Sequence, residues 1–149
     1  MVVLNTAQSR SMALALTIGL ATAPGLGRTS EAVVDRQAPL AAAGDADRGR
    51  AVFLDRQSAH CLLCHQLSSV DEGFQGTLGP SLDGVAQRLT AAQLRYRIVD
   101  PTRLNPGTIM PAYHRLNGLN DVAPAYRNRP VLTAQAVEDL VAFLGEAGR

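Results

Sequence analysis

The chain has 149 residues, a formal net charge of +1 and 46% hydrophobic residues, which is enough for one globular domain. A balance this close to neutral excludes the basic footprint of bulk nucleic-acid binding. Its cationic residues are all arginines, so every fixed positive charge is a guanidinium.

Arg10 precedes an apolar run from Met12 to Ala23, too short to cross a bilayer and suited to the h-region of a secretory signal peptide. An amphipathic first helix is a poorer reading, because Thr17 to Gly27 carries three glycines and a proline with no polar face. Ala23, Ala32 and Ala43 are candidate cleavage points. Residues 1–43 are therefore read as signal peptide and flexible leader, and residues 44–149 as the folded domain. A periplasmic protein is expected, with no membrane span in its mature form.

Asp45 or Asp47 can cap a helix running to about Arg56, in which Gly49 and Phe53 share a face and the glycine permits close approach of another backbone. The segment Cys61-Leu62-Leu63-Cys64-His65 follows and uses both cysteines of the chain. On a helical turn, positions i, i+3 and i+4 lie on one side. Cys61 and Cys64 can then each add to a haem vinyl group while His65 offers its imidazole to the iron as proximal ligand. A structural disulfide, a thioredoxin-like pair and half of a zinc site compete with this reading. A thioredoxin pair needs a βαβ pattern, which is missing nearby, and zinc needs two more closely spaced ligands, which His60 and His114 do not supply. One covalent haem c is the expected cofactor.

A loop rich in Ser, Gly and Asp runs from Ser68 to Gly79. The turn Gly79-Pro80 is placed to offer a carbonyl, that of Pro80, to the second ring nitrogen of His65. Leu82 to Leu89 can form a short helix. Thr90-Ala91-Ala92-Gln93 is a capping box whose helix should end before Pro101. From Pro101 to Pro130 there are five prolines and little periodicity, which predicts a long ordered loop. Within it, Met110 is the choice for distal haem ligand: Met1 and Met12 fall in the leader, and His60 is adjacent to the attachment cysteine. His114 remains a competitor.

Arg88, Arg95, Arg97, Arg103, Arg115, Arg127 and Arg129 against Asp83, Asp100 and Asp121 predict a positive face between Ser81 and Pro130. Solvation and contact with haem propionates compete there with steering of an anionic substrate or acidic partner. Thr133 can cap the last helix, whose stripe of Val137, Leu140, Val141 and Leu144 should pack on the helix of Gly49 and Phe53. No strand or repeat is apparent, so the fold class is all-α, with helices and ordered loops wrapped around one covalent haem.

With the haem motif, Gly79-Pro80 and the Met110 loop in place, the domain resembles class I cytochromes c. The segments Gly79 to Ala86, Ile98 to Pro101, Asn105-Pro106, Thr108 to His114, Val122 to Arg127 and Leu132 to Gln135 resemble, more closely, the SoxX family of small monohaem subunits of SoxAX cytochromes. That resemblance implies a heterodimer with a SoxA-like haem subunit, acting as an L-cysteine S-thiosulfotransferase that joins thiosulfate to a cysteine of a SoxYZ-like carrier. In it, this chain would accept the electrons released and pass them to a downstream soluble cytochrome. Tyr113, Tyr126 and Arg127 would then lie at the partner interface, or else serve ordinary loop packing. Both cysteines are taken by the haem, so no thiol remains for sulfur chemistry and no residue here is assigned a catalytic role. A free-standing class I cytochrome c shuttle is the alternative, and a module in which a ligand displaces Met110 is a third.

Overall fold

The computed structural model describes residues 37–148. The signal-peptide reading, up to residue 36, lies outside the described residues. The described residues form five α-helices and two 3-10 turns, in order α1 (Ala46–Leu54), α2 (Cys61–Cys64), α3 (Val85–Arg88), α4 (Ala91–Val99), turns at Pro101–Arg103 and Pro124–Tyr126, and α5 (Ala134–Ala147). Among the described residues there is no strand, and no helix is long and apolar enough to cross a membrane.

The local signals explain where most of these helices start. Asp45 caps α1 by accepting from the Arg48 N–H, Thr90 and Gln93 form a complete capping box on α4, and Thr133 accepts from the Ala136 N–H at the start of α5. Helix α1 stops at Leu54, two residues before the expected Arg56, because Asp55 is extended and turns its side chain to the Gln57 N–H. Helix α3 is half the length expected for Leu82 to Leu89. Ser81 and Asp83 form a side-chain-bonded turn, and Gly84 adopts φ +65° before the first helical residue.

Helices α1 and α5 pack face to face. A Cβ on Gly49 would stand 1.9 Å from the Asp139 carbonyl oxygen, so only glycine allows the two backbones to meet here. Beside it the rings of Phe53 and Phe143 lie 5.4 Å apart between centroids in a tilted pair. The stripe of Val137, Leu140, Val141 and Leu144 is buried throughout, as its spacing predicts.

Two adjacent acids on α5 tie this pair to the rest of the chain. Asp139 receives a bidentate pair of 2.8 Å bonds from Arg48 and one of 2.9 Å from the Asp45 N–H. Its carboxyl is held down at about 2, chiefly by the Arg48 bonds. Glu138 takes Nε and a terminal nitrogen of Arg95 at 2.7 Å each, with both side chains buried. Burial would raise the Glu138 carboxyl, but the Arg95 bonds and the Leu40 N–H bring it below its ordinary value. Arg95 therefore does not join a positive face; it is an internal guanidinium.

The same acid draws in chain that the sequence reading gave to the leader. The Leu40 N–H donates to Glu138 at 2.9 Å, Arg95 donates to the Gln37 carbonyl at 3.0 Å, and Leu40 packs against the core. Packed contacts thus begin upstream of the expected Gly44 boundary.

Candidate functional site

Helix α2 is one turn, entered through His60 in the left-handed conformation (φ +57°) and closed by the His65 N–H donating to the Cys61 carbonyl at 2.9 Å. The loop that follows runs back along it. The N–H groups of Gly76, Gly79 and Leu82 donate to the carbonyls of Leu62, Cys64 and Gln66, each at 2.8 Å, and Asp83 accepts from the Ser68 N–H and hydroxyl at 2.8 Å. These bonds build a wall of fixed backbone beside the Cys61–His65 segment.

His65 is seated in that wall. Its Nδ1 lies 2.8 Å from the Pro80 carbonyl oxygen, the acceptor expected from the sequence. A carbonyl can only accept, so Nδ1 carries the proton and Nε2 keeps a free lone pair. Gly79 packs against the imidazole so closely that a Cβ would come within 2.4 Å of its Cε1.

Met110 reaches the same region from the other side of the sequence. Its own N–H is 3.2 Å from the Thr108 hydroxyl, and the chain beyond it is hung on α4: the N–H groups of Tyr113 and His114 donate to the carbonyls of Ile98 and Val99 at 3.2 Å. The Leu132 N–H donates to the Tyr113 carbonyl at 2.9 Å, which fixes the segment from its far flank.

These pieces enclose a cavity of about 530 Å³. Cys61, Cys64, His65 and Met110 all line it, as does His60, whereas His114 does not. The His114 Nδ1 is 2.8 Å from the Leu132 carbonyl, so that ring is engaged elsewhere. Most of the remaining wall is apolar, with Phe53, Leu94, Ile98 and Leu140 among it. Burial pushes the Cys61 thiol up to about 12, and the two thiols are not joined to each other. Among the described residues no group of three or more His, Cys, Asp or Glu is placed to hold a metal ion. A volume of this size, apolar walls and two nitrogen and sulfur donors at its edge fit a flat, mostly apolar macrocycle carrying a metal.

The arginines of the predicted positive face divide. Arg88 and Arg97 line the cavity, Arg103 and Arg115 pair with the buried Asp100, and Arg127 and Arg129 stand exposed on the long loop. Burial would raise the Asp100 carboxyl, but Thr102 and the arginines bring it below its ordinary value. Tyr113 is buried, with its hydroxyl donating to the Ala59 carbonyl at 2.6 Å, so it is not part of an exposed interface. Burial raises its phenol well above the ordinary value and keeps it a donor. Only Tyr126 and Arg127 of that expected trio are exposed. No local signal marks the Tyr113 bond, since its partner is a backbone carbonyl 54 residues away.

The sequence profile of the family described as cytochrome c matches residues 46–147. Over 60 residues the chain is 42% identical to a cytochrome c-553-like protein of Synechocystis sp., a match covering 40% of this chain and 49% of the relative. The chain thus spans about half the length of that curated relative. Among solved structures, a chain of SoxXA from P. pantotrophus is similar at 32% identity and a TM-score of 0.66, over 72% of this chain and 85% of that one.

Proposed function

From the premise that the chain belongs to the cytochrome c family, we propose that it is the electron-accepting monohaem subunit of a SoxAX-type complex, exported to the periplasm. The observation that carries this reading is the likeness to SoxXA, which extends over 85% of that chain.

The residues at the cavity have distinct tasks in this proposal. Cys61 and Cys64 hold the ring through thioethers. His65, with Nδ1 committed to the Pro80 carbonyl, presents Nε2 as proximal ligand. Met110 offers its thioether as distal ligand, and the pairing of thioether with imidazole favours a higher potential than two imidazoles. The apolar wall of Phe53, Leu94, Ile98 and Leu140 excludes water. Arg88 and Arg97, which line the cavity, are suited to the propionates. When bound, haem c supplies reversible one-electron chemistry.

With both cysteines so used, bond-making at sulfur belongs to the partners. A SoxA-like haem subunit would carry the thiosulfotransferase chemistry, a SoxYZ-like carrier would provide the cysteine that receives thiosulfate, and a soluble cytochrome would take the electrons onward. Tyr126 and Arg127, exposed on the loop beside Arg129, are the residues offered to a partner surface.

The match to a cytochrome c-553-like protein favours a second reading, a free-standing electron shuttle. Mild purification of the mature protein from its native periplasm separates the two. A tightly bound haem-bearing subunit, with thiosulfate-dependent haem reduction when carrier is added, supports the SoxAX assignment. A lone redox-active monomer indifferent to thiosulfate refutes it and leaves the shuttle.

A further inference from the structure

Tyr113 sits three residues beyond Met110 and is fastened at three points that belong to different parts of the fold. Its N–H donates to Ile98 at the end of α4, its carbonyl accepts from Leu132 ahead of α5, and its hydroxyl donates to Ala59, two residues before Cys61. The hydroxyl bond, at 2.6 Å, is short and buried, and it is the direct side-chain link from the Met110 segment to the backbone that leads into the cysteine motif. The Cys61 sulfur also lies 3.8 Å from the same Ala59 carbonyl, so the phenol bonds the very turn from which the first cysteine projects.

The rest of the Met110 segment has few polar ties. The Thr108 hydroxyl at 3.2 Å is Met110's own polar contact beside its packing on the core, Ile109 is exposed, and the Asn105 to Gly107 turn is held upstream by the Asn105 N–H donating to the Pro101 carbonyl at 3.0 Å. A segment built this way opens easily unless it is pinned nearby.

We infer that Tyr113 is a positioning residue that straps the Met110 segment to the turn before Cys61, and so sets how readily Met110 leaves the iron. This rests on the reading of Met110 as distal ligand. The phenol need not touch the iron or the sulfur. It acts by keeping both sides of the cavity in register, and its removal leaves the Ala59 carbonyl buried without its donor.

The test uses the full holoprotein, and its probe is cyanide binding to the ferric form, followed with the sulfur-to-iron charge-transfer absorption. In Tyr113→Phe the haem should stay attached, the absorption should weaken, and cyanide should bind roughly tenfold faster. Asp139→Asn, which loosens α1 from α5 away from this segment, should leave the cyanide rate unchanged and so separates strapping from general destabilisation. A Tyr113→Phe rate within about twofold of the parent, or an equal rise in Asp139→Asn, overturns the inference. Met110→Ala calibrates the fully open site: if it binds cyanide no faster than the parent, the ligand assignment itself is wrong, whereas a fast Met110→Ala beside an unchanged Tyr113→Phe condemns the strap alone. If Tyr113→Phe folds poorly, a ring-fluorinated tyrosine at position 113 is a stronger donor of nearly equal size and should slow cyanide binding; an unchanged or faster rate again overturns the proposal.

Discussion

Replacing Gly79 with alanine should move His65 and raise the reduction potential. The new Cβ would stand 2.4 Å from Cε1, 2.7 Å from Nδ1 and 2.9 Å from Nε2 of the imidazole. Ordinary contact begins at 3.4 Å, so something must give by about 1 Å. The backbone at Gly79 is poorly able to give, because its own N–H is bonded to Cys64 and the flanking N–H groups of Gly76 and Leu82 to Leu62 and Gln66. The ring therefore shifts, and a shift of that size stretches the 2.8 Å bond to Pro80 beyond hydrogen-bonding range. Losing such a bond is worth about 1 kcal/mol. The bond lends the imidazole electron density and so favours ferric iron; at 59 mV for each 1.4 kcal/mol its loss raises the potential by roughly 40 mV. Spectroelectrochemical titration of parent and variant, both with haem attached, reads this directly. A potential within about 10 mV of the parent, with an unchanged low-spin spectrum, would refute the reasoning.

Met110→Ala should keep the haem attached and open the iron to carbon monoxide in the ferrous state. An unchanged absorption spectrum would refute Met110 as the distal ligand. Arg95→Leu removes one half of a buried pair and leaves Glu138 with the Leu40 N–H alone, which should cost about 3–5 kcal/mol in urea unfolding; a loss below about 1 kcal/mol would mean that the pair is not buried as described. The stability should also fall in acid. Asp139 titrates at about 2 in the fold, held down first by its Arg48 bonds, against an ordinary value of 3.8. The unfolded chain binds the proton more readily, so this contribution is complete above the ordinary value and is lost as pH falls toward 2. Asp100 and Glu138 are lowered as well and act with the same sign. Asp139→Asn should flatten the acid limb of a stability-versus-pH curve, and an identical limb would contradict the assignment.

What could be read from the sequence was whatever is decided locally. Capping residues Asp45, Thr90 and Thr133 announce three helices, and the Val137 to Leu144 stripe declares its buried face. Gly49 signals a close helix crossing because no other residue leaves that space. The wall behind His65 was also legible, since a glycine followed by a proline a short loop beyond His65 offers a carbonyl at the right place. The features that escaped depend on partners distant in sequence. Arg95 looks like any surface arginine until Glu138, 43 residues later, takes it inside. Leu40 looks like leader until the same carboxylate claims its N–H. Tyr113 carries no mark distinguishing an internal strap from an interface residue, because its acceptor is main chain. The shortness of α3 reflects competition between a helix and the Ser81–Asp83 turn, which hydrophobic pattern alone does not resolve.

The grip of Asp139 on Arg48 joins residues 91 positions apart, and the cysteine motif lies within that span. Bringing such distant segments together costs on the order of 4 kcal/mol of chain entropy before the ion pair returns anything. Folding should accordingly be slow for a helical domain of this size, since its rate is set by distant pairings and not by helix formation. A chain emerging from its N-terminal end must also deliver α5 before α1 has a lasting partner. Until then the Cys61–His65 turn belongs to an open chain, reachable by whatever joins it to the ring.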